Sequence, residues 1–242
     1  MISKVYDWER VLSALKRLAE AFPEQFQGWI LIGGGACWFY REALKAAADP
    51  EFPVPSYDQH AEEIWLSKDL DFMGLTEAEA TDLFQAPFKE ETHTITFGDI
   101  EVDFLEEGLH LTLGSVLQNV REARIGGFGF LVVAPEILYV EKCALVSLKQ
   151  RPQDRLHHGL LAQFLKHEFC ADLRQPNLDA ADWVARARVV KTADLEFFLR
   201  DPHFQTRLRD NIAALNPTAH KAILHWAKHH LGLGPGAGAT AR

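Results

Sequence analysis

The stretch SKDLDF at residues 67–72 places two aspartates one residue apart, and each is followed by a large apolar residue. Successive side chains of a β-strand point to opposite faces of its sheet. A strand over residues 68–73 therefore directs Asp69 and Asp71 to one face, and the leucine and the phenylalanine to a core. The sequence predicts a strand whose surface holds two negative charges side by side.

A second strand repeats this pattern further along the chain. The segment THTITFGDIEVDFL at residues 92–105 alternates around a Gly-Asp pair, which indicates a β-hairpin. In its second arm, Asp103 lies between two apolar residues and is the predicted third carboxylate, while Glu101 shares its face and stays open as the alternative. A solvated strand end is the plainer explanation of any single D-x-D pattern. Three carboxylates from neighbouring strands, however, suit Mg²⁺, a hard cation that prefers oxygen ligands.

A glycine-rich turn precedes both acidic strands. The segment LIGGGACW at residues 31–38 is typical of a strand, predicted over 29–32, that leads into a helix from Ala36 to about Ala48. Glycines let a phosphate approach the backbone, and a helix start offers N–H groups and a positive dipole end. A tight strand-to-helix turn needs glycine for steric reasons as well. The segment has the spacing of neither a dinucleotide fingerprint nor a P-loop.

Hydrophobic periodicity predicts a mixed α/β region followed by helices. Residues 1–140 form the predicted α/β domain, residues 141–231 a helical domain, and residues 232–242 a flexible, glycine-rich tail. Thr76 and Glu79 form a capping box at the start of a helix. The other predicted elements are a helix over 7–22, a strand over 128–133, and helices over roughly 135–149, 152–169, 178–190, 193–200 and 203–231.

The charge of the chain is unevenly distributed. The 242 residues carry a formal net charge of −9, which argues against a broad nucleic-acid-binding surface. Residues 1–140 contain 10 basic and 24 acidic side chains, a net charge of −14, whereas residues 141–242 contain 15 and 10, a net charge of +5. This asymmetry suits an acidic metal-binding half and a phosphate-facing half, or two halves that simply attract each other.

The sequence lacks the patterns of membrane insertion and export. Its strongly apolar run at residues 29–40 is too short to span a bilayer and contains three glycines. The first residues mix charged and apolar side chains, unlike a secretory signal. The three cysteines lack the paired spacing of a disulfide framework or a zinc site. We therefore expect a cytoplasmic protein that does not enter a membrane.

The order of the motifs resembles that of a known group of enzymes. A glycine turn, a D-x-D strand and a third acid on a later strand follow one another in the DNA polymerase β-like nucleotidyltransferase superfamily. The sequence is most similar to the AbiEii-type toxin nucleotidyltransferases. They carry a G-G-x-A turn, here residues 33–36, and an S-x-D-[IL]-D-F strand, here residues 67–72. The resemblance covers about residues 29–165.

The segment at residues 132–154 resembles the same family. It matches a strand, an alanine-proline-glutamate turn and a helix, with the family's lysine, arginine and aspartate at Lys142, Arg151 and Asp154. His157 departs from the pattern, because the family carries a second aspartate there. This departure leaves the preferred nucleotide and acceptor open.

The resemblance implies a fold and a set of roles. The implied fold is α+β, with a nucleotidyltransferase-type mixed β-sheet, flanking helices and a C-terminal helical domain. Asp69, Asp71 and Asp103 would bind Mg²⁺, or Mn²⁺ in its place, and act in catalysis. The nucleotide-binding residues would be Gly33, Gly34, Ser67 and Lys142.

The implied reaction moves NMP from an NTP to a hydroxyl group of an RNA such as tRNA, a protein or a small molecule, and releases pyrophosphate. The resemblance also implies a toxin-like role, with an antitoxin protein as partner. Two alternatives stay open. A metal-dependent glycosyltransferase would use the D-x-D pair without needing the glycine turn or Asp103. A catalytically silent nucleotide-binding or interaction module would use neither for chemistry.

Overall fold

The computed structural model describes residues 8–50, 52–55, 69–109, 111–125, 127–149 and 151–172. The chain divides into two compact units, Met1–Phe164 and Leu165–Arg242. All residues that line the candidate site belong to the first unit. The domain boundary predicted near residue 140 stays a prediction. The helices and the tail predicted beyond residue 172 lie outside the described residues.

Within the described residues, a six-stranded mixed sheet organises the first unit. Its strands are β1 (Ile30–Leu31), β2 (Leu70–Met73), β3 (Ile95–Phe97), β4 (Ile100–Phe104), β5 (Val120–Ile125) and β6 (Phe128–Val133). They lie side by side in the order β3-β4-β2-β1-β6-β5. The central pairs β2-β4 and β1-β6 are parallel, whereas β1-β2 is antiparallel. The outer pairs are antiparallel hairpins, and the hairpin predicted at the Gly-Asp pair is confirmed.

The described residues also form six α-helices, three of which connect strands. They are α1 (Trp8–Ala21), α2 (Gly33–Ala47), α3 (Glu77–Phe84), α4 (Leu113–Gln118), α5 (Pro135–Lys149) and α6 (Pro152–Asp172). The predicted capping box begins α3: the Glu79 amide donates to the Thr76 hydroxyl at 3.2 Å, and the Thr76 amide donates to the Glu79 carboxylate at 2.8 Å. None of these helices has both the length and the apolar character needed to cross a membrane.

The start of α2 differs from the prediction. The helix begins at Gly33, three residues earlier than expected, so the glycines form its first turn instead of a loop before it. The residue before it, Ile32, has an extended backbone, and its amide donates to the backbone carbonyl of Asp71 at 2.9 Å. The glycine turn is therefore joined directly to the acidic strand.

Aromatic side chains fill the core on one side of the sheet. Phe72 of β2 and Phe104 of β4 are buried, and their ring centroids lie 5.7 Å and 5.0 Å from that of Trp29. Such separations suit tilted and edge-to-face ring contacts. Because β2 alternates, the packing of Phe72 into this core directs Asp71 to the other side of the sheet.

The sequence pattern does not predict β5 or α4. Only Ala123 is buried among the six residues of β5, and the side chains of Glu122 and Arg124 are 77% and 79% exposed. Charged residues are common on edge strands because they discourage pairing with another chain. In β5 these charged residues also take the place of apolar ones, so the alternation of apolar and polar residues that indicates a strand is missing.

Candidate active site

Two adjacent strands bring the predicted acids to one wall of a cleft. β2 and β4 run parallel, and Asp71 is the register partner of Asp103. Neighbouring strands lie about 4.8 Å apart, so the two side chains leave the sheet as neighbours. Asp69 immediately precedes β2, and all three acids line one cleft of about 700 Å³. We refer to Asp69, Asp71 and Asp103 as the sheet wall.

The structure distinguishes the two candidate acids of β4. Asp103 lines the cleft, whereas Glu101, on the same face of the strand, does not. Instead, Oε1 of Glu101 lies 2.8 Å from Nζ of Lys89. The geometry therefore favours Asp103 over Glu101 as the third carboxylate, while its catalytic role stays a prediction.

The glycine turn packs against Asp71. Gly33 has a φ of +59°, in the left-handed region that favours glycine. A Cβ atom at Gly33 would lie only 1.8 Å from Oδ2 of Asp71. The amide of Gly34 donates to the same oxygen, with an N–O distance of 3.3 Å. The turn therefore needs glycine to admit a carboxylate, a reason that is independent of phosphate binding, and both glycines line the cleft.

Asp71 lies in an unfavourable environment for a negative charge. Its pKa is raised to about 7, first by burial and then by the charge of Asp69, with a smaller contribution from Asp103. The charge of Lys142 and the hydrogen bond from the Gly34 amide act in the opposite direction. A proton or a cation in the cleft would relieve this crowding of like charges.

The carboxylate of Asp103 is in contact with His93. Nδ1 of His93 lies 3.2 Å from Oδ1 of Asp103, and Nε2 lies 3.8 Å from Oε2 of Glu77. The hydrogen bond to Asp103 raises the pKa of His93. Burial raises the pKa of Asp103, although the hydrogen bond and charge of His93 lower it.

The three acids share a wall without forming a closed cage. In the part of the chain that the structure describes, no group of three or more His, Cys, Asp or Glu side chains is already arranged around a metal position. The donor chemistry nevertheless fits Mg²⁺ or Mn²⁺, because both ions take carboxylate oxygens as ligands. The raised pKa of Asp71 adds an electrostatic reason for a cation to enter.

Helices α5 and α6 supply another wall of the same cleft. Nζ of Lys142 lies 3.0 Å from Oδ1 of Asp154, and Nε of Arg151 lies 2.7 Å from Oδ2. The side chains of Lys142 and Asp154 are 8% and 2% exposed, and that of Arg151 is 52% exposed. Two cations against one carboxylate leave a net positive charge at this helix wall, which we define as Lys142, Arg151 and Asp154. Lys149 also lines the cleft.

The charges of the helix wall stabilise one another. Burial alone would raise the pKa of Asp154, but the charges and hydrogen bonds of Lys142 and Arg151 outweigh it and lower that pKa. Asp154 therefore stays ionised at neutral pH. Unlike the carboxylates of the sheet wall, the buried Asp154 carboxylate is already paired with cations.

A buried glutamate beside Lys142 also lines the cleft and is not among the predicted site residues. The carboxylate of Glu141 accepts hydrogen bonds from the amides of Leu109 and Leu111, at 3.0 Å and 3.2 Å. It thereby holds a loop that forms part of the cleft wall. The sequence does contain a signal for it, because Glu141 follows the buried Leu138 of α5 at helical spacing, where an apolar residue is expected.

His157 stands where the resembling family carries an aspartate. It is fully buried in the cleft wall, and burial holds its pKa well below the usual value, with further lowering by the charges of Lys142 and Arg151. A neutral imidazole therefore replaces a negative charge at this position. Ser67, which is also predicted to bind the nucleotide, lies outside the described residues.

Comparison with known proteins gives little further guidance. No protein-family model matches the sequence, and no curated protein sequence matches it. Among solved structures, the chain superposes on an antigenic nucleotidyltransferase-like protein from Paracoccidioides brasiliensis with a TM-score of 0.42 and 12% identity, over 90% of this chain and 95% of that one. So loose a match does not establish a common fold, and the functional assignment therefore depends on the geometry of the cleft.

Proposed function

We propose that this chain is a divalent-metal-dependent nucleotidyltransferase, which transfers NMP from an NTP to a hydroxyl group and releases pyrophosphate. The observation that carries the proposal is the pairing of Asp71 with Asp103 beside the glycine turn. The same cleft has a cationic helix wall. A metal-bound triphosphate needs carboxylates for its metal and cations for its phosphates, and the two walls offer both.

In this proposal, each group of the cleft has one task. Asp69, Asp71 and Asp103 would hold the metal ion, which when bound would neutralise the triphosphate and align the displacement. Asp103 would also help to activate the acceptor hydroxyl. The cleft volume of about 700 Å³ is within the range of small-molecule sites.

The phosphates would lie between the glycine turn and the helix wall. The amide of Gly33, at the positive end of α2, would donate to a phosphate oxygen, while Gly34, whose amide donates to Asp71, would line the phosphate site. Lys142 would attract the triphosphate as a point charge, and Arg151 has the planar donor geometry that binds phosphate in a bidentate manner. Ser67 is expected to assist from the segment before β2.

The test is a transfer assay with each labelled NTP, Mg²⁺ or Mn²⁺, and three acceptor pools: bulk tRNA, protein extract and small metabolites. We expect transfer by the wild-type protein and its loss in Asp71→Asn and Asp103→Asn. Glu101→Gln is the matched control, because it removes an acid from the same strand and face outside the cleft. Transfer that persists undiminished in Asp71→Asn would remove the proposal.

The same assay separates the alternatives. Transfer only from a nucleotide sugar would favour the glycosyltransferase, although the position of Asp103 beside Asp71 has no purpose in that reaction. Binding of NTP without transfer to any pool would favour the catalytically silent module. The cleft has carboxylates on one wall and cations on another, and this combination supports the nucleotidyltransferase over the two alternatives.

The acceptor and the biological role are the finer parts of the proposal. The pool in which the label appears identifies the acceptor as RNA, protein or small molecule. A toxin-like role predicts that expression of the wild-type protein arrests growth, whereas expression of Asp71→Asn does not. Co-expression of an antitoxin partner with the wild-type protein would restore growth.

A further inference from the structure

His93 has no role in the proposed reaction, yet it contacts one of the acids of the sheet wall. We propose that His93 is a positioning residue for Asp103, whose imidazole fixes the orientation of the carboxylate that would share a metal ion with Asp69 and Asp71. The inference rests on the proposed function, because it assigns a partner to an acid of that site.

A tight backbone turn places His93 over the strand. The Lys89 amide donates to the Thr94 carbonyl at 2.9 Å, and the His93 amide donates to the Lys89 carbonyl at 2.8 Å. Within this turn His93 has a φ of +56°, in the left-handed region. This conformation is unfavourable for a residue with a side chain, and it persists where the surrounding contacts determine it.

The imidazole ring is held from three directions. Because an ionised carboxylate only accepts hydrogen bonds, Nδ1 of His93 carries the hydrogen and donates to Oδ1 of Asp103, at 3.2 Å. Nε2 faces the carboxylate of Glu77 at 3.8 Å, and the Phe88 ring lies 5.2 Å away between centroids. These contacts favour one orientation of the imidazole ring. Its hydrogen bond in turn favours one orientation of the Asp103 carboxylate.

Such a contact has a known consequence for metal binding. Carboxylates that bind metals are commonly hydrogen-bonded to an outer partner, and loss of that partner typically weakens metal affinity by about 10–100-fold. Because 59% of the His93 side chain is exposed, we expect the lower end of that range. The result expected here is a change in metal affinity, without any change in the ligands themselves.

The same hairpin contains a natural control for this inference. Nζ of Lys89 lies 2.8 Å from Oε1 of Glu101. Glu101 precedes Asp103 by two residues on β4. Neither Lys89 nor Glu101 lines the cleft. Removal of the Lys89 side chain therefore tests the effect of a lost cation on the hairpin without touching the sheet wall.

The experiment measures Mn²⁺ affinity by electron paramagnetic resonance of the free ion, in the absence of nucleotide. His93→Gly keeps a residue that accepts the left-handed backbone but removes the ring. His93→Asn also accepts that backbone and retains a side-chain N–H donor. We expect affinity to fall about tenfold in His93→Gly, to recover largely in His93→Asn, and to stay unchanged in Lys89→Ala.

The outcomes separate the inference from the function on which it rests. If Asp103→Asn weakens Mn²⁺ binding but His93→Gly does not, the positioning role is wrong while the metal site stands. Equal weakening in His93→Gly and His93→Asn would also contradict it, because the donor would then be irrelevant. If the wild-type protein binds no Mn²⁺, or binds it as well in Asp71→Asn and Asp103→Asn, the proposed function fails together with the inference.

Discussion

The sheet wall and the helix wall line one cleft, but they differ in how their charges are compensated. In the sheet wall, three carboxylates crowd together and the pKa of Asp71 is raised to about 7. In the helix wall, Asp154 lies between two cations and its pKa is lowered. The ionised Asp154 is therefore explained by its own neighbours, and the two cations leave a net positive charge at that wall. An unbalanced group at the surface of a cleft points to a missing partner, and for carboxylates that partner is a cation.

The largest effect is expected from the sheet wall. Asp71→Asn should reduce the rate of nucleotidyl transfer by at least about 10³-fold, since metal-assisted displacement depends on the ligands of the metal. Without divalent metal the same variant should be at least as stable as the wild-type protein, because it loses a crowded charge. Transfer rates and thermal unfolding in a chelator measure the two effects. Activity within tenfold of the wild-type value would contradict this account.

The helix wall should respond in the opposite sense. Lys142→Met leaves Asp154 buried with only the half-exposed Arg151 as its ionic partner, so we expect stability to fall by about 3 kcal/mol in urea unfolding. Arg151→Ala should cost less than about 1 kcal/mol, because exposed pairs contribute little. The double variant Lys142→Met, Asp154→Leu should recover much of the loss. Equal losses in both single variants would show that burial does not determine the effect.

A third prediction concerns the contact between the glycine turn and the sheet wall. Gly33→Ala should displace the Asp71 carboxylate, because the new Cβ would lie 1.8 Å from its Oδ2. A displacement of this size should lower activity about 100-fold, and the left-handed backbone should cost about 1–2 kcal/mol of stability. Gly114→Ala is the control, since no atom lies within 4 Å of its new Cβ. Similar losses at Gly114 would remove the steric explanation.

A fourth prediction concerns pH in the absence of divalent metal. The folded-state pKa of Asp71, about 7, exceeds its ordinary value of 3.8. The folded protein therefore binds more protons than the unfolded one between these values, and the contribution of Asp71 to stability falls as pH rises through this window. Asp154 has the opposite sign: its contribution is present at neutral pH and is lost in acid.

Thermal unfolding between pH 4 and pH 7 in a chelator tests this dependence. The stability of Asp71→Asn relative to the wild-type protein should increase as pH rises through this window. Identical pH profiles for the two proteins would mean that Asp71 does not titrate in this range.

Part of this architecture follows from local patterns in the sequence. The alternation of acids and apolar residues predicts the faces of β2 and β4, because period-two patterning is a property of the strand itself. The capping box of Thr76 and Glu79 is likewise local, and its hydrogen bonds are present. The edge strand β5 has too few buried residues to give such a pattern.

The rest of the site depends on contacts between distant residues. Nothing near Gly33 in the sequence indicates that Asp71 occupies the space of its missing side chain. The contact between His93 and Asp103 likewise depends on a turn in which His93 has a left-handed backbone, which no motif signals. Register and turn geometry therefore decide which of several acids enters the cleft.

The most direct measurement of the central claim is the number of protons released when Mg²⁺ binds. With its pKa raised to about 7, Asp71 binds a proton in part of the metal-free protein near neutral pH, and a cation at the sheet wall must displace that proton. Calorimetry in buffers of different ionisation enthalpy should therefore show proton release near neutral pH that declines towards pH 9 and is absent in Asp71→Asn. Mg²⁺ binding without proton release at pH 7, or with the same release in Asp71→Asn, would show that the sheet wall is not the metal site.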